Sequence, residues 1–116
     1  MIRVMIVDDD RTTVSLLQTL LEIDGYDVDV VTNGNEVIPA AEATPPDLIL
    51  MDYNLNDTDG IVILERIRAH DSLSHLPVII ASGMNVEDEA MAAGASAFLV
   101  KPYDPEQLPI LINSWV

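Results

Sequence analysis

Near its N-terminus the chain carries an apolar run that ends in three aspartates, Ile2-Arg3-Val4-Met5-Ile6-Val7-Asp8-Asp9-Asp10. The apolar part is continuous rather than alternating, which is typical of a strand that is buried on both faces, as in a parallel sheet. The acidic cluster comes at the point where such a strand would leave the sheet. This combination predicts a central parallel strand whose end carries chemistry.

Further along the chain, three more apolar runs are continuous and a fourth is not. The fourth, Tyr26-Asp27-Val28-Asp29-Val30-Val31, alternates polar and apolar residues, which predicts a half-exposed edge strand. The three continuous runs are rich in Ile, Leu and Val, and we expect them to be buried on both faces. They cover residues 48–51, 78–81 and 98–100.

Helical patterns lie between these runs, so that strands and helices alternate along the chain. A last helix is predicted to open at Asp104-Pro105, with an aspartate cap followed by a proline in the first helical position. Pro39 and Pro109 fall near the ends of first turns, where we expect late starts or kinks. The other predicted helices cover residues 12–23, 36–43, 61–69 and 86–93. This alternation predicts an α/β fold with a doubly wound parallel sheet.

The first predicted helix has a dense apolar stripe. Its leucines stand at positions 16, 17, 20 and 21, and Gly25 follows as a stop. We expect Leu16, Leu17, Leu20 and Leu21 together to form the face that packs on the sheet. The chain shows no linker, repeat or low-complexity segment, so residues 1–116 are expected to form one domain.

The composition excludes several classes of function. The 20 Asp and Glu residues against 5 Lys and Arg give a formal net charge of −15, and a nucleic-acid surface needs clustered basic residues. Without cysteine there is no disulfide, thiolate zinc site or cysteine nucleophile. No apolar run approaches the roughly 20 residues of a membrane-spanning helix, and the first run meets acidic residues instead of a signal-peptide cleavage site. We therefore expect a cytoplasmic protein.

Polar residues follow each of the four continuous runs. They are Asp8 and Asp9, then Asp52, Ser82 and Lys101. Because the carboxyl ends of parallel strands lie at one edge of a sheet, these side chains should converge there. Clustered carboxylates repel each other unless a cation neutralises them, and Mg²⁺ accepts carboxylates together with phosphate oxygens. A lysine and a hydroxyl suit phosphate oxygens, so we predict a Mg²⁺-assisted phosphoryl site with Asp52 as nucleophile.

Each of these residues also has a structural interpretation. The three aspartates that follow the first strand could form a solvated turn that caps the first helix. Asp52 could be a turn residue, Ser82 a small residue at a strand end, and Lys101 a surface lysine. The joint placement at four strand ends favours the chemical interpretation over these separate ones.

Taken together, the motifs resemble the receiver domain of two-component response regulators over essentially the whole chain. The resemblance rests on the acidic cluster after the first strand, Asp52 at the end of its strand, the Asp59-Gly60 turn, Ala81-Ser82, and the segment from Gly94 to Pro102. It implies a flavodoxin-like fold in which five parallel strands in the order 2-1-3-4-5 are flanked by five helices.

The resemblance also implies a role for each site residue. Asp52 is similar to the aspartate that accepts a phosphoryl group from the phosphohistidine of a kinase, and Lys101 to the lysine that pairs with that group. Asp8, Asp9, Asp52 and the backbone carbonyl of Asn54 correspond to the ligands of Mg²⁺, or of Mn²⁺ in its place. Ser82 and Phe98 correspond to the two switch residues, and the Lys101-Pro102 bond is expected to be cis.

The same resemblance implies partners and leaves two other functions open. The partners would be a sensor histidine kinase or phosphotransfer protein and a downstream protein target bound through the region from Val86 to Val116, with a homodimer as a further possibility and no nucleic acid or membrane. The receiver would not be an enzyme beyond catalysing its own phosphotransfer and dephosphorylation. The alternatives are a small aspartate-dependent phosphatase or phosphotransferase and a receiver-like binding module that is never phosphorylated.

A few positions depart from the family pattern. Asn56 stands where the family usually has proline, so the loop after Asp52 is expected to be less rigid. Gly83 replaces a common alanine, which would open the phosphoryl group to water. Asn54 and Met84 occupy positions that resemble the family's tuners of phosphoryl lifetime. Pro109 puts in doubt an output surface that includes the last helix.

Overall fold

The computed structural model describes residues 1–116 and contains one five-stranded sheet. All neighbouring strands are parallel, and their order is β2-β1-β3-β4-β5. The strands are β1 (Arg3–Val7), β2 (Asp27–Val31), β3 (Leu48–Asp52), β4 (Val78–Ser82) and β5 (Ala97–Val100). The predicted fold class and strand order are therefore confirmed.

Four α-helices connect the strands, a fifth follows β5, and a short 3₁₀ helix (Gly34–Glu36) precedes the second α-helix. Pro39 and Pro109 each occupy the third position of their helix, where the missing N–H costs no intrahelical bond, and the predicted late start is confirmed for the last helix only. The predicted opening of the last helix at Asp104-Pro105 is wrong, because the helix begins at Gln107 with Glu106 as its cap residue, and the Asp104 carboxylate accepts the N–H of Glu106 in the turn before it. The helices are α1 (Arg11–Ile23), α2 (Val37–Ala43), α3 (Gly60–Ala69), α4 (Glu87–Ala92) and α5 (Gln107–Trp115).

The helices cover both faces of the sheet, as a doubly wound arrangement requires. Helices α1 and α5 pack on one face, and α2, α3 and α4 pack on the other. Strands β1, β3 and β4 are buried on both faces, which agrees with their continuous apolar sequence. None of the five helices combines the length and the apolar composition needed to cross a bilayer.

Two expectations about burial are wrong. Only Leu17 and Leu21 of the leucine stripe face the sheet, while Leu16 is 53% exposed and Leu20 is 37% exposed. Each residue advances about 100° around a helix, so leucines at successive positions cannot all face one plane. Strand β5 was expected to be buried on both faces, but it is the second edge of the sheet and its Val100 is 54% exposed. Strand β2 is the half-exposed edge that its alternating sequence predicts.

Arg68, near the end of α3, joins three parts of the chain on one side of the sheet. Its guanidinium donates to the backbone carbonyls of Gly94 (2.9 Å), Ser74 (3.1 Å) and Leu76 (2.6 Å). Gly94 adopts a positive φ of 106° after α4, and a Cβ there would press on the Arg68 side chain. The Arg68 side chain thus holds together helix α3, the segment before β4 and the turn before β5.

We expect Gly60→Ala to destabilise the fold by about 1–3 kcal/mol, the usual range for overpacking. Gly60 is the first residue of α3, and a Cβ at this position would collide with the backbone carbonyl of Asp52. Urea denaturation would measure the loss. Gly83→Ala is the matched control, because a Cβ at Gly83 meets no atom within 4 Å. Equal stability of the two variants would contradict the packing argument.

Candidate functional site

The carboxyl ends of four neighbouring strands meet at one edge of the sheet. Pairing of β3 with β4 places Asp52 opposite Ala81, and pairing of β4 with β5 places Ser82 opposite Val100. On the other side, β1 ends beside β3 with Val7 opposite Met51, so that Asp8 leaves the sheet next to Asp52. The parallel register therefore brings together residues that lie up to 93 positions apart in the sequence.

Three carboxylates form the centre of the site, as the sequence predicts. Asp8, Asp9 and Asp52 each offer an oxygen atom, and these oxygens all lie within 4.8 Å of one another. Asp8 is only 4% exposed, and its Oδ1 is fixed because it accepts the N–H of Asp10 at 2.9 Å. An all-oxygen set of this size fits Mg²⁺, which is usually bound by one or two carboxylates while it keeps several waters.

The third aspartate of the cluster after β1 has a different role. Asp10 precedes α1, and its carboxylate accepts the backbone N–H of Thr12 (3.1 Å) and the hydroxyl of Thr13 (3.0 Å). The Thr13 bonds and then the Thr12 N–H lower the pKa of the Asp10 carboxyl. The two interpretations of this acidic cluster thus apply to different residues, because Asp10 caps the helix while Asp8 and Asp9 face the cleft.

Lys101 is the cation of the site. Its Nζ lies 3.2 Å from Oδ1 of Asp52 and 3.4 Å from Oδ2 of Asp8. Burial acts to lower the pKa of Lys101, but the charges of Asp8 and Asp52 outweigh burial, so the pKa is raised and the lysine stays charged. The backbone places it here, because its N–H donates to the carbonyl of Ser82 at 2.8 Å and the Lys101-Pro102 bond is cis, as predicted.

The carboxyl group of Asp52 has a raised pKa. Burial is the largest cause, Lys101 opposes it, and the charge of Asp8 adds to it. The backbone around Asp52 is fixed, since the next residue, Tyr53, donates its N–H to the carbonyl of Ala81 at 2.8 Å. The structure thus holds a carboxylate at a strand end in surroundings that disfavour its negative charge.

The two predicted switch residues lie on neighbouring strands. Ser82 is fully buried, and its Oγ accepts the N–H of Met84 at 3.0 Å. Phe98 lies on β5 opposite Ile80 of β4, and its partly buried ring packs against the core formed with α2, α3 and α4. The side chain of Ser82 is therefore at the edge that carries Asp52, while Phe98 lies two residues before the exposed end of β5.

Sequence reasoning missed two tyrosines near the site. Burial, together with the charges of Asp8 and Asp52, raises the pKa of Tyr103 to about 12. The hydroxyl of Tyr53 donates to Oε1 of Glu89 on α4 at 3.0 Å. Each tyrosine stands within two residues of a predicted site residue, and this proximity was the only signal that could have identified it.

A cavity of about 390 Å³ adjoins the site. It separates the first turns of α1 from the loop after β5, and Lys101 and Tyr103 lie on its wall. Its other six lining residues are all uncharged. They are Thr12, Thr13, Leu16, Leu17, Pro102 and Pro105.

Comparison with known proteins identifies relatives over nearly the whole chain. The family model of the response regulator receiver domain matches residues 4–113. The polar-differentiation response regulator DivK of Brucella anthropi is 31% identical, and the match covers 97% of this chain and 94% of DivK. The receiver domain of the sensor histidine kinase PA1611 of Pseudomonas aeruginosa is similar in structure, with a TM-score of 0.88, 27% identity and coverage of 97% and 95%. That structure has a magnesium ion coordinated in its active site cleft.

Other relatives are much longer than this chain. The alkaline phosphatase synthesis transcriptional regulatory protein PhoP of Bacillus subtilis is 31% identical over 109 residues, which are 91% of this chain and 45% of PhoP. The chain spans about half the length of the transcriptional regulators that it matches. The similarity to these proteins is therefore a similarity to part of each of them.

We expect Asp52→Asn to stabilise the fold at pH 7 by on the order of 1 kcal/mol. The folded chain keeps a proton on Asp52 at pH values where the unfolded chain has lost it, so this carboxyl stabilises the fold less as the pH rises from 3.8 through the raised pKa. Thermal unfolding at pH 7 and at pH 3 would measure the effect. The difference should shrink at pH 3, where the carboxyl is protonated in both states. A less stable variant at pH 7 would contradict this electrostatic account.

Proposed function

The chain belongs to the receiver domain family of two-component response regulators, and from this premise we propose that Asp52 is its phosphoacceptor. Receiver domains are signalling domains rather than conventional enzymes. In this proposal residues 1–116 form one receiver domain whose only chemistry is its own phosphotransfer and dephosphorylation. Asp52 would take a phosphoryl group from the phosphohistidine of a kinase or phosphotransfer protein.

The position of Lys101 is the observation that carries the proposal. Its ammonium group lies within 3.4 Å of both Asp8 and Asp52, the two carboxylates that also belong to the candidate metal site. A lysine that served only to neutralise a buried carboxylate would need one partner. A lysine between two carboxylates at a cleft can turn to a third anion, and the phosphoryl group on Asp52 would be that anion.

The three carboxylates fit a resident Mg²⁺ ion, with Mn²⁺ as a substitute. Asp8, Asp9, Asp52 and the backbone carbonyl of Asn54 would hold it, and their oxygens match its preference. When bound, the ion supplies positive charge that offsets the charge of the phosphoryl oxygens. That positive charge would also oppose the burial and the Asp8 charge that raise the pKa of Asp52.

The chemical step needs little covalent help from the protein. A carboxylate oxygen of Asp52 attacks the phosphorus in line, the new O–P bond forms, and the bond from phosphorus to the imidazole nitrogen of the donor breaks. The nitrogen leaves with the electron pair, and because the other ring nitrogen of the donor carries a proton, the leaving group is neutral imidazole. Lys101 offsets the charge of the phosphoryl oxygens in transit, and the sheet edge fixes Asp52 beforehand, so that positioning and electrostatics provide most of the acceleration.

Phosphorylation would then shift a conformational equilibrium. Ser82 can exchange its bond to the N–H of Met84 for a bond to a phosphoryl oxygen, because its hydroxyl can donate as well as accept. In the proposed switch, Phe98 turns inward after Ser82 moves. The free energy for the shift would come from the difference in contacts that the phosphoryl group makes in the two states.

The partners of the chain are part of the same proposal. The upstream partner would be a sensor histidine kinase or phosphotransfer protein. The downstream partner would be a protein that binds the region from Val86 to Val116, which includes exposed residues of α4, β5 and α5. A homodimer is a further partner that the proposal includes, with no surface assigned to it. The cytoplasmic location expected from the sequence stays a prediction.

Incubation with Mg²⁺ and acetyl phosphate, followed by intact mass measurement, tests the phosphoacceptor assignment. We expect one phosphoryl adduct on the unmodified chain and none on Asp52→Asn, because Asp52 is the more exposed of the two cleft carboxylates that contact Lys101. Asp59→Asn, which changes an aspartate outside the acidic cluster, is the control and should still be labelled. Absence of an adduct with donor and metal in excess would refute the assignment. Repeated turnover of a small phosphomonoester would instead indicate the phosphatase alternative.

We expect Lys101→Ala to keep the fold and to slow phosphoryl labelling by about 100-fold, the lower end of the cost of removing one stabilising donor. Circular dichroism would test the fold and mass measurement over time would test the rate. Arg66→Ala also removes one cation, at an exposed position of α3, and should be labelled at the normal rate. Wholesale unfolding of Lys101→Ala would indicate that the lysine is structural.

A further inference from the structure

The loop after β3 is a small hairpin. The N–H of Leu55 donates to the carbonyl of Thr58 at 3.1 Å, and Asn54 pairs with Asp59 in an antiparallel bridge. Asp57 lies in the two-residue tip of this hairpin. The hairpin begins directly after the strand that ends in the proposed phosphoacceptor, so its position determines where the Asn54 carbonyl lies.

The carboxylate of Asp57 ties the hairpin tip to a distant part of the chain. Its Oδ1 accepts the N–H of Gly34 at 2.9 Å and its Oδ2 accepts the N–H of Asn35 at 3.0 Å. These residues open the 3₁₀ helix between β2 and α2, where the first N–H groups have no partner within the helix. The bonds from Asn35 and then Gly34 lower the pKa of Asp57, so the carboxylate is charged and its bonds are charge-assisted.

Close packing supports the same contact. Gly34 is buried, and a Cβ built on it would lie 2.6 Å from Cγ2 of Thr58 and 3.0 Å from Ile63. Only a residue without a side chain lets the 3₁₀ helix approach the hairpin this closely. The two segments are therefore held together by close packing and by hydrogen bonds from backbone N–H groups to the Asp57 carboxylate.

The contact of Asp57 with Gly34 and Asn35 bears on the expectation that the loop after Asp52 is less rigid. Asn56 stands where a proline would limit the conformations of the backbone. Asp57 is the other residue of the two-residue tip, so it is the one that can restrain the hairpin. Asp57 supplies the restraint through two bonds to a segment 22 and 23 positions away. Neither of its oxygens belongs to the acidic cluster of Asp8, Asp9 and Asp52, so any effect on that cluster must act through the backbone.

We propose that Asp57 is a positioning residue, which holds the hairpin against Gly34 and Asn35 so that the Asn54 carbonyl is in place to bind Mg²⁺. This inference rests on the proposed function, since it assumes that the Asn54 carbonyl is a metal ligand. The affinity for Mg²⁺ is then set partly by a contact outside the ligand shell. Partners of this kind typically change metal affinity by 10-fold to 100-fold when they are removed.

Isothermal titration of the full chain with Mg²⁺ tests the proposal without any phosphoryl donor. We expect the Kd for Mg²⁺ to rise about 10-fold in Asp57→Ala and by less in Asp57→Asn, whose amide oxygen can still accept one N–H. Asp59→Asn is the matched control, because it removes one charge from the same hairpin at a residue that makes no side-chain cap bond. Its Kd should stay within about twofold of that of the unmodified chain.

The outcomes separate this inference from the function on which it rests. If the unmodified chain binds Mg²⁺ and Asp8→Asn does not, the metal site itself is established. An unmodified chain that binds no Mg²⁺ would overturn both proposals. A lower unfolding temperature with an unchanged Kd in Asp57→Asn would leave Asp57 a purely structural residue. Equal weakening in Asp57→Asn and Asp59→Asn would show that charge, and not the contact, is responsible. If Asp57→Ala fails to fold, Asp57→Asn carries the test alone.

Discussion

The attraction between Lys101 and the two carboxylates of Asp8 and Asp52 is the interaction on which the site depends. At an effective dielectric constant of about 20, two like charges about 4 Å apart repel by about 4 kcal/mol. That is a large part of the roughly 5–15 kcal/mol that holds a typical domain folded. A chain with a net charge of −15 that gathers acidic groups at one edge needs positive charge there, and Lys101, one of its 5 basic residues, supplies it. Even so, the pKa of Asp52 stays raised, because Lys101 only partly offsets the effects of burial and of the Asp8 charge.

Most of the fold could be predicted from the sequence because burial and periodicity are local properties. Runs such as residues 48–51 and 78–81 have no polar residue to expose, so only the centre of a sheet can accommodate them. The same argument failed for β5, since a short apolar run does not reveal whether another strand lies beyond it. It also failed for Leu16 and Leu20, because apolar residues can remain exposed on a helix when others already cover the sheet.

Some residues of the candidate site could likewise be predicted from the sequence, and others could not. The positions of Asp8, Asp52, Ser82 and Lys101 follow from the rule that parallel strands end at one edge, and the structure places them there. Contacts made by side chains that reach across the fold carry no such signal. The bonds of Asp57 to the segment before α2, or of Tyr53 to α4, depend on loop conformations that no pattern in the sequence encodes.

Arg68 shows a different use of positive charge in this acidic chain. Its side chain donates only to neutral oxygens, the backbone carbonyls of Gly94, Ser74 and Leu76 and, at 3.5 Å, the hydroxyl of Ser96. Ion pairs such as that between Arg3 and Asp27 weaken in acid, when the carboxylate takes up a proton. The bonds of Arg68 have no carboxylate to lose, and salt screens them less than exposed ion pairs. The junction of α3, β4 and β5 is therefore an acid-tolerant part of a molecule whose ion pairs weaken as the pH falls.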